Sequence, residues 1–212
     1  MKILAISSST SRGRNSDTML DNFIKGIKTV DDIQVEKIYL DEIDINLYRY
    51  ENRNGPKKHE EEFRKLTDKI KNEIDALVIA TPTYNFSVPA HLKNFIDRIR
   101  FFSLDFSNRN ILKQPIGKLG NLYIYFLISG GTPKWAQRIL FFAFPPFWLR
   151  GVFLYFGAKV MGSFYSGDVE AFKNKKVLDK CFRLGKKFAV KIKKERKVGI
   201  LERIFFRPPE MD

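Results

Sequence analysis

The sequence predicts an α/β domain, a doubly wound, mainly parallel sheet of five strands with helices on both faces. Three observations predict it. Short runs that are apolar throughout recur along the chain, segments with apolar residues at helical spacing lie between them, and polar loops join the two. Strands alternating with helices imply right-handed crossovers and hence parallel pairing. With 212 residues, 44% of them hydrophobic, the chain can bury one sizeable core, and no Gly/Ser/Pro-rich linker divides it.

"KILAISS" (2–8) reads as a central strand buried on both faces. Residues 16–28 follow with Met19, Leu20, Phe23, Ile24 and Ile27 at helical spacing, and Ser16 or Asn15 as the cap. "IQVEKIYL" (33–40) alternates as a second strand. "KKHEEEFRKLTDKIKNEI" (57–74) reads as a charged helix with an inner face of Phe63, Leu66, Ile70 and Ile74. "ALVIATP" (76–82) is a third strand. A helix beginning at Pro89 then turns Leu92, Phe95, Ile96 and Ile99 inward and pairs Lys93 with Asp97 on its outer side. "NLYIYFLISGG" (121–131) and "AKVMGSFY" (158–165) supply the last two strands, and a helix over about 169–194 ends the domain. Five such strands suit the order 2-1-3-4-5. A nucleotide-binding Rossmann arrangement produces similar elements, so periodicity leaves the order open.

Two segments break the rhythm. Residues 48–58 form a polar loop, with Asn54, Gly55 and Pro56 as turn formers. Residues 134–157 are strongly apolar and aromatic. Arg138 and Arg150 lie near its ends and Pro145-Pro146 interrupts any helix, whereas a membrane span needs about 20 uninterrupted apolar residues. A helix pair covering the ligand site, or a subunit interface, is expected there instead.

Composition narrows the function classes. The formal charge is +14, but residues 173–212 hold 14 Lys/Arg against 5 Asp/Glu, a net of +9, which leaves +5 for residues 1–172. That modest field suits anionic small molecules such as nucleotides, and equally a plain soluble basic surface. Cys181 is the only cysteine, and no Cys-x-x-Cys or His/Cys cluster is present, so neither zinc nor an iron-sulfur cluster is encoded. The amino terminus lacks the roughly 7 to 15 apolar residues of a signal-peptide core. A reducing, cytoplasmic setting is expected.

In a doubly wound sheet ligands bind beyond the carboxyl ends of the strands, where strand order reverses. Three loops there have unusual composition. "SSSTSRGRNSDT" (7–18) combines hydroxyls with Arg12, Gly13 and Arg14 just before a helix, the composition of a phosphate site or of a Ser/Thr-rich capping loop. It contains neither Walker A nor G-x-G-x-x-G. "TPTYNFSVP" is pinned by Pro82 and Pro89, and exposes two rings flanking an amide, which suits a flat heteroaromatic ligand or self-packing. "SGGTP" supplies a glycine pair. His91 and His59 read as surface or capping histidines, and Cys181 as a helix-face thiol.

"PTYNFSVPAHLKNFIDRI" closely resembles the P-x-Y-N-F-S-x-P-x-x-L-K-x-x-I-D-x-I pattern of the flavodoxin-like NAD(P)H-dependent FMN reductases and their quinone reductase and azoreductase relatives. The resemblance covers the three loops and most of residues 1–165. It implies a flavodoxin-like sheet and FMN as cofactor, with Thr83, Tyr84, Asn85 and Phe86, after Pro82, holding the isoalloxazine ring. Ser9, Ser11, Arg12, Ser16, Asp17 and Thr18 would surround the FMN phosphate, and Ser129, Gly130 and Gly131 would approach the pyrimidine edge. It further implies NADH or NADPH as electron donor, ping-pong transfer to a flavin, quinone, azo or nitroaromatic acceptor, and a homodimer. No catalytic side chain is required, because backbone N–H groups of Asn85, Phe86, Gly130 and Gly131 are candidates to stabilise negative charge on the reduced ring. The Gly-Ser-Pro opening common among relatives is missing, and the Pro145-Pro146 region and basic tail have no clear counterpart.

Two other functions compete. A non-enzymatic electron carrier of the flavodoxin type shares the fold, although such carriers are typically acidic. A flavin-binding module docked to a membrane surface or an acidic partner would use the basic, aromatic-dotted 173–212 stretch, which otherwise reads as a last helix with a snorkelling lysine face. No nucleic-acid-binding motif accompanies the charge. The domain is expected to span 1–197, with 198–212 as a tail whose deletion leaves FMN binding intact.

Overall fold

Alternate side chains of the central strands point into two separate helix layers. The computed structural model describes residues 1–110, 112–133, 135 and 145–194. Five parallel strands, β1 (Lys2–Ser7), β2 (Gln34–Tyr39), β3 (Ala76–Pro82), β6 (Tyr123–Ser129) and β7 (Lys159–Ser166), lie in the order β2-β1-β3-β6-β7, the flavodoxin-like 2-1-3-4-5 arrangement. Leu4, Ile6, Leu77, Ile79, Ile124 and Phe126 face one layer, formed by α2 (Glu61–Asn72), α3 (Ala90–Arg98) and α5 (Pro145–Tyr155). Ile3, Ala5, Val78, Tyr125 and Leu127 face the other, formed by α1 (Asn15–Ile27) and α6 (Lys175–Lys193). Strands covered on both sides must be apolar at every position, which is why they read as continuous runs.

α1 and α6 meet through their backbones. A Cβ on Gly26 would lie 2.0 Å from the Phe182 carbonyl oxygen, and one on Gly185 would lie 2.0 Å from that of Phe23. Each helix thus presents a glycine to the other's main chain. Gly185→Ala is expected to lower the melting temperature. Overpacking costs roughly 1–3 kcal/mol, against the about 1 kcal/mol that alanine gains in helix propensity. A thermal melt showing a rise would refute the close approach.

Three boundaries differ from expectation. α2 starts at Glu61, not Lys57, because Glu60 is drawn into the core and its carboxylate accepts from the Lys57 N–H at 2.7 Å. The last helix starts after Asn174, whose side chain accepts from the N–H groups of Lys176 and Val177, so residues 169–174 are turns. Pro145 and Pro146 begin α5 and do not interrupt it, since first-turn N–H groups have no intrahelical acceptor anyway. α5 packs on the sheet through Leu149 and Phe153 as an ordinary crossover helix. The short helix α4 (Arg100–Ser103) and an antiparallel hairpin, β4 (Leu104–Arg109) with β5 (Pro115–Gly117), were not anticipated. Residue 134, residues 136–144 and the 198–212 tail lie outside the described residues. Among the described residues, no helix is long and apolar enough to cross a membrane.

Candidate functional site

The crossover direction reverses between β1 and β3, so the loops leaving their carboxyl ends flank a crevice at the sheet's rim. The first loop is tied to the sheet by its neighbour strand. Ser8 donates its N–H and its hydroxyl to the Ala80 carbonyl at 2.8 and 3.2 Å. A ring nitrogen of His91, on α3, lies 2.8 Å from the Ser8 carbonyl; a carbonyl only accepts, so Nε2 carries the proton. His91 therefore holds the loop to α3.

Within the loop, the Ser9 hydroxyl donates to the Ser11 carbonyl and accepts from its N–H, both at 3.2 Å. Gly13 sits at φ +67°, a left-handed conformation that glycine adopts without strain, and donates its N–H to Asp17 Oδ2 at 2.8 Å. Asp17 is buried, and its other oxygen pairs with Lys37 Nζ at 2.8 Å. Burial opposes its ionisation, but Lys37 and the Gly13 N–H outweigh that and hold the carboxyl below the usual range, while Lys37 is correspondingly raised. Asp17 is a tether for the loop. Arg12 is also committed: it donates to the Ser9 carbonyl at 2.6 Å, pairs with Asp41 and Glu42 at 2.8 and 3.0 Å, and stacks over Tyr39 at 3.7 Å.

Two groups remain for an anion. Ser16, in the first turn of α1, has a buried hydroxyl with no hydrogen-bond partner among the described residues, beside helix N–H groups that lack intrahelical acceptors. Arg14 is exposed, lies over the Phe172 ring at 4.9 Å, and forms no ion pair among the described residues. Ser11 is exposed and Thr18 half-buried one turn further on.

The second loop leaves β3 through Pro82 and is held to the third by the Thr83 N–H, which donates to the Ser129 carbonyl at 2.8 Å. Tyr84 and Ser87 then exchange N–H···O bonds at 2.8 and 2.9 Å around Asn85 and Phe86, both at positive φ, 48° and 64°. Two left-handed central residues make a tight hairpin turn. Asparagine tolerates that backbone, whereas a bulky aromatic rarely adopts it, so strain is stored at Phe86. The turn leaves the Tyr84 and Phe86 rings 49% and 58% exposed at the crevice.

The third loop is crowded. A Cβ on Gly130 would lie 2.3 Å from Thr83 Oγ1 and 2.8 Å from the Tyr165 hydroxyl, whereas Gly131 has room for a side chain. The Gly130 N–H donates to the Ser166 carbonyl at 2.9 Å. That corrects one expectation: a backbone N–H is a single donor, and this one is already used within the sheet rim. Ser129 is buried, and the Tyr165 hydroxyl donates to the Thr132 carbonyl at 2.7 Å. Cys181 is fully buried toward the sheet, and burial pushes its thiol up to about 12, so it stays protonated.

The fold thus gathers all three loops at one rim, laced through Ser8–Ala80, Thr83–Ser129 and Gly130–Ser166. Asp17 and Arg12 are turned to protein partners. Arg14, not weighted above its neighbours by composition, is the guanidinium left over. Lys37 and Tyr165 belong to the support and carry no local sequence signal, because each meets a partner on another element, Asp17 of α1 and Thr132 of the third loop.

A doubly wound parallel sheet with hydroxyl-rich, aromatic and glycine loops at its switch point defines the protein as one of the flavodoxin-like class. The chain belongs to the NADPH-dependent FMN reductase family, whose sequence model matches residues 1–167. Among curated proteins, an FMN-dependent NADH:quinone oxidoreductase of Mycoplasmoides gallisepticum is 32% identical over 146 residues, 67% of this chain and 71% of that protein. One from Mesoplasma florum is 33% identical over 106 residues, 48% of this chain. The chain spans about half the length of that relative, 49%. Among solved structures, azoreductase AzrA superposes with a TM-score of 0.70 at 18% identity, over 90% of this chain and all (100%) of that one. An NAD(P)H:quinone oxidoreductase from Methanothermobacter marburgensis does so at 0.68 and 19%, over 88% and 98%. At such identities these two show the fold.

Proposed function

We propose that the protein is an FMN-dependent oxidoreductase that takes electrons from NADH or NADPH and passes them to a small-molecule acceptor, with quinones first among flavin, quinone, azo and nitroaromatic compounds. One observation carries this reading. On the two sides of the switch point, the helix after β1 opens on a buried Ser16 hydroxyl with no partner among the described residues, and the turn after β3 leaves the Tyr84 and Phe86 rings exposed.

These residues fit FMN. Ser16, Ser9, Ser11, Thr18 and the Arg14 guanidinium would surround the phosphate at the amino end of α1, with Asp17 and Arg12 fixing the loop's shape. Thr83, Tyr84, Asn85 and Phe86 would hold the ring system, and Ser129, Gly130 and Gly131 would border its edge. Bound FMN supplies the hydride chemistry. The chain's own share would be orientation: the left-handed backbone at Asn85 and Phe86 fixes the turn, which leaves the Tyr84 and Phe86 rings exposed beside the sheet's rim. The names of the two curated relatives support quinones over other acceptors.

The test is direct. Purified protein should be yellow or bind added FMN, and should oxidise NADH or NADPH stoichiometrically against a quinone. A colourless protein that neither binds FMN nor oxidises either nucleotide sinks the proposal; flavin binding without nucleotide oxidation would favour the electron carrier. His91→Ala should weaken FMN several-fold, since a net hydrogen bond is worth about 1 kcal/mol. Unchanged FMN affinity by fluorescence titration would show that the loop does not need that tie. Residues 1–197 would carry this activity, and the lone buried Cys181 suits a cytoplasmic setting. Exposed Leu47, Tyr50, Phe106 and Leu112 offer apolar surface for a homodimer, which light scattering would test.

A further inference from the structure

The outer side of α6 is strongly basic. Its inner side, through Cys181, Gly185, Phe188, Ala189 and Ile192, is buried on α1 and the sheet. Of the side chains left exposed along Lys175–Lys193, eight are Lys or Arg and one, Asp179, is acidic, and exposed Lys194 follows. Among the described residues only one of these cations meets a carboxylate: Lys193 reaches Asp32 at 3.4 Å. Exposed Lys25 and Lys28 extend the same layer at the end of α1. Within this field two apolar side chains stand out of the surface, Phe182 and Val190, each 37% exposed. They lie eight residues apart, so they share one stripe of the helix, with Lys186 between them and Arg183 and Lys187 beside them.

We propose that the outer face of α6 docks the protein, lying flat, onto an anionic lipid surface. The pattern selects this partner over others. The core of a protein interface is depleted in lysine and gathers its apolar residues together, whereas here lysines dominate and the apolar residues are separated. A nucleic acid would ask for a groove along the phosphates or a platform of stacking rings, and this face is a single convex helix with one ring. A headgroup layer asks for neither. Long lysine stems reach its phosphates while isolated apolar side chains sink to the acyl boundary, and attraction accumulates charge by charge. A helix of this length lies along about 28 Å of surface. The residues concerned are 175–194, distinct from the 198–212 tail, and the inference does not depend on the redox reading.

The full-length protein would be sedimented with vesicles of phosphatidylcholine alone and of phosphatidylcholine mixed with phosphatidylglycerol. Binding is expected only to the anionic vesicles, falling as salt rises. The triple variant Lys180→Glu, Lys187→Glu, Lys191→Glu should lose on the order of a hundredfold in partitioning, from the charge attraction alone. All three side chains are exposed, so its circular dichroism and melting temperature should match the parent. Phe182→Ser should weaken binding further without changing the salt dependence. A full-length chain with its tail cations neutralised (Arg203→Gln, Arg207→Gln) should still bind. The proposal is overturned by equal binding to both vesicle types, or by full binding of the folded triple variant. Loss of binding on tail neutralisation alone, or tighter binding to an RNA oligonucleotide at the same salt, would overturn it too.

Discussion

Arg98→Met is expected to cost the protein about 3–5 kcal/mol, the usual penalty for stranding one member of a buried ion pair. Arg98 and Glu60 are paired through two parallel bonds of 2.8 Å, and both side chains are fully buried. The guanidinium also donates to the Asn46 carbonyl at 2.7 Å, and Glu60 accepts from the Asn46 and Lys57 N–H groups. This pair is the bolt that fastens the 46–60 connection to α3. Adding Glu60→Gln to Arg98→Met should recover part of the loss, because no charge is then left unpaired. Urea unfolding measures both; a single-variant loss below about 1 kcal/mol, the scale of an exposed pair, would refute the assignment. The same pair makes the fold acid-sensitive. Burial opposes ionisation of Glu60, but Arg98 and the two N–H groups prevail and bring its carboxyl down to about 2. Because the folded value lies below the unfolded one, the stabilisation is complete above about pH 4.5. It is lost as the pH falls toward about 2, and amounts to about 3 kcal/mol from that difference. Glu60→Gln should flatten this part of the stability profile.

Gly130→Ala is expected to weaken FMN binding roughly tenfold to a hundredfold, corresponding to about 1–3 kcal/mol of overpacking. Its new methyl would press on Thr83 Oγ1 at 2.3 Å and on the Tyr165 hydroxyl at 2.8 Å. Thr83 leads into the turn proposed to hold the ring, so relief of the clash has to move that turn or the Thr132 loop bonded to Tyr165. Gly131→Ala is the control, since only a Val169 methyl at 3.5 Å faces it, and it should leave affinity within a few-fold. Fluorescence titration of FMN would distinguish them; equal losses at both glycines would mean that crowding at Gly130 is not what shapes the site.

The strand and helix pattern and the three rim loops were legible because they are local properties. Two-sided burial writes apolar runs, helices write a spacing near 3.6, and prolines 82 and 89 mark where the turn begins and ends. The hairpin at 104–117 escaped because its exposed positions interrupt alternation: of β4, only Leu104 is fully buried. The start of α5 at Pro145 escaped because proline signals a break as readily as a beginning.

The sequence by itself determined that this is a doubly wound α/β protein with hydroxyl-rich, aromatic and glycine loops at three strand ends, and its long Tyr-Asn-Phe motif pointed to its family. Only the tertiary structure decided what the individual side chains do there. Asp17 pairs with Lys37 of β2, and Arg12 pairs with Asp41 and Glu42. Arg98 found Glu60 38 residues away, and Gly130 sits where Thr83 and Tyr165 crowd any Cβ. Local composition records which groups are available. Which of them remain free for a ligand depends on partners brought close by folding, and those partners are distant in the chain.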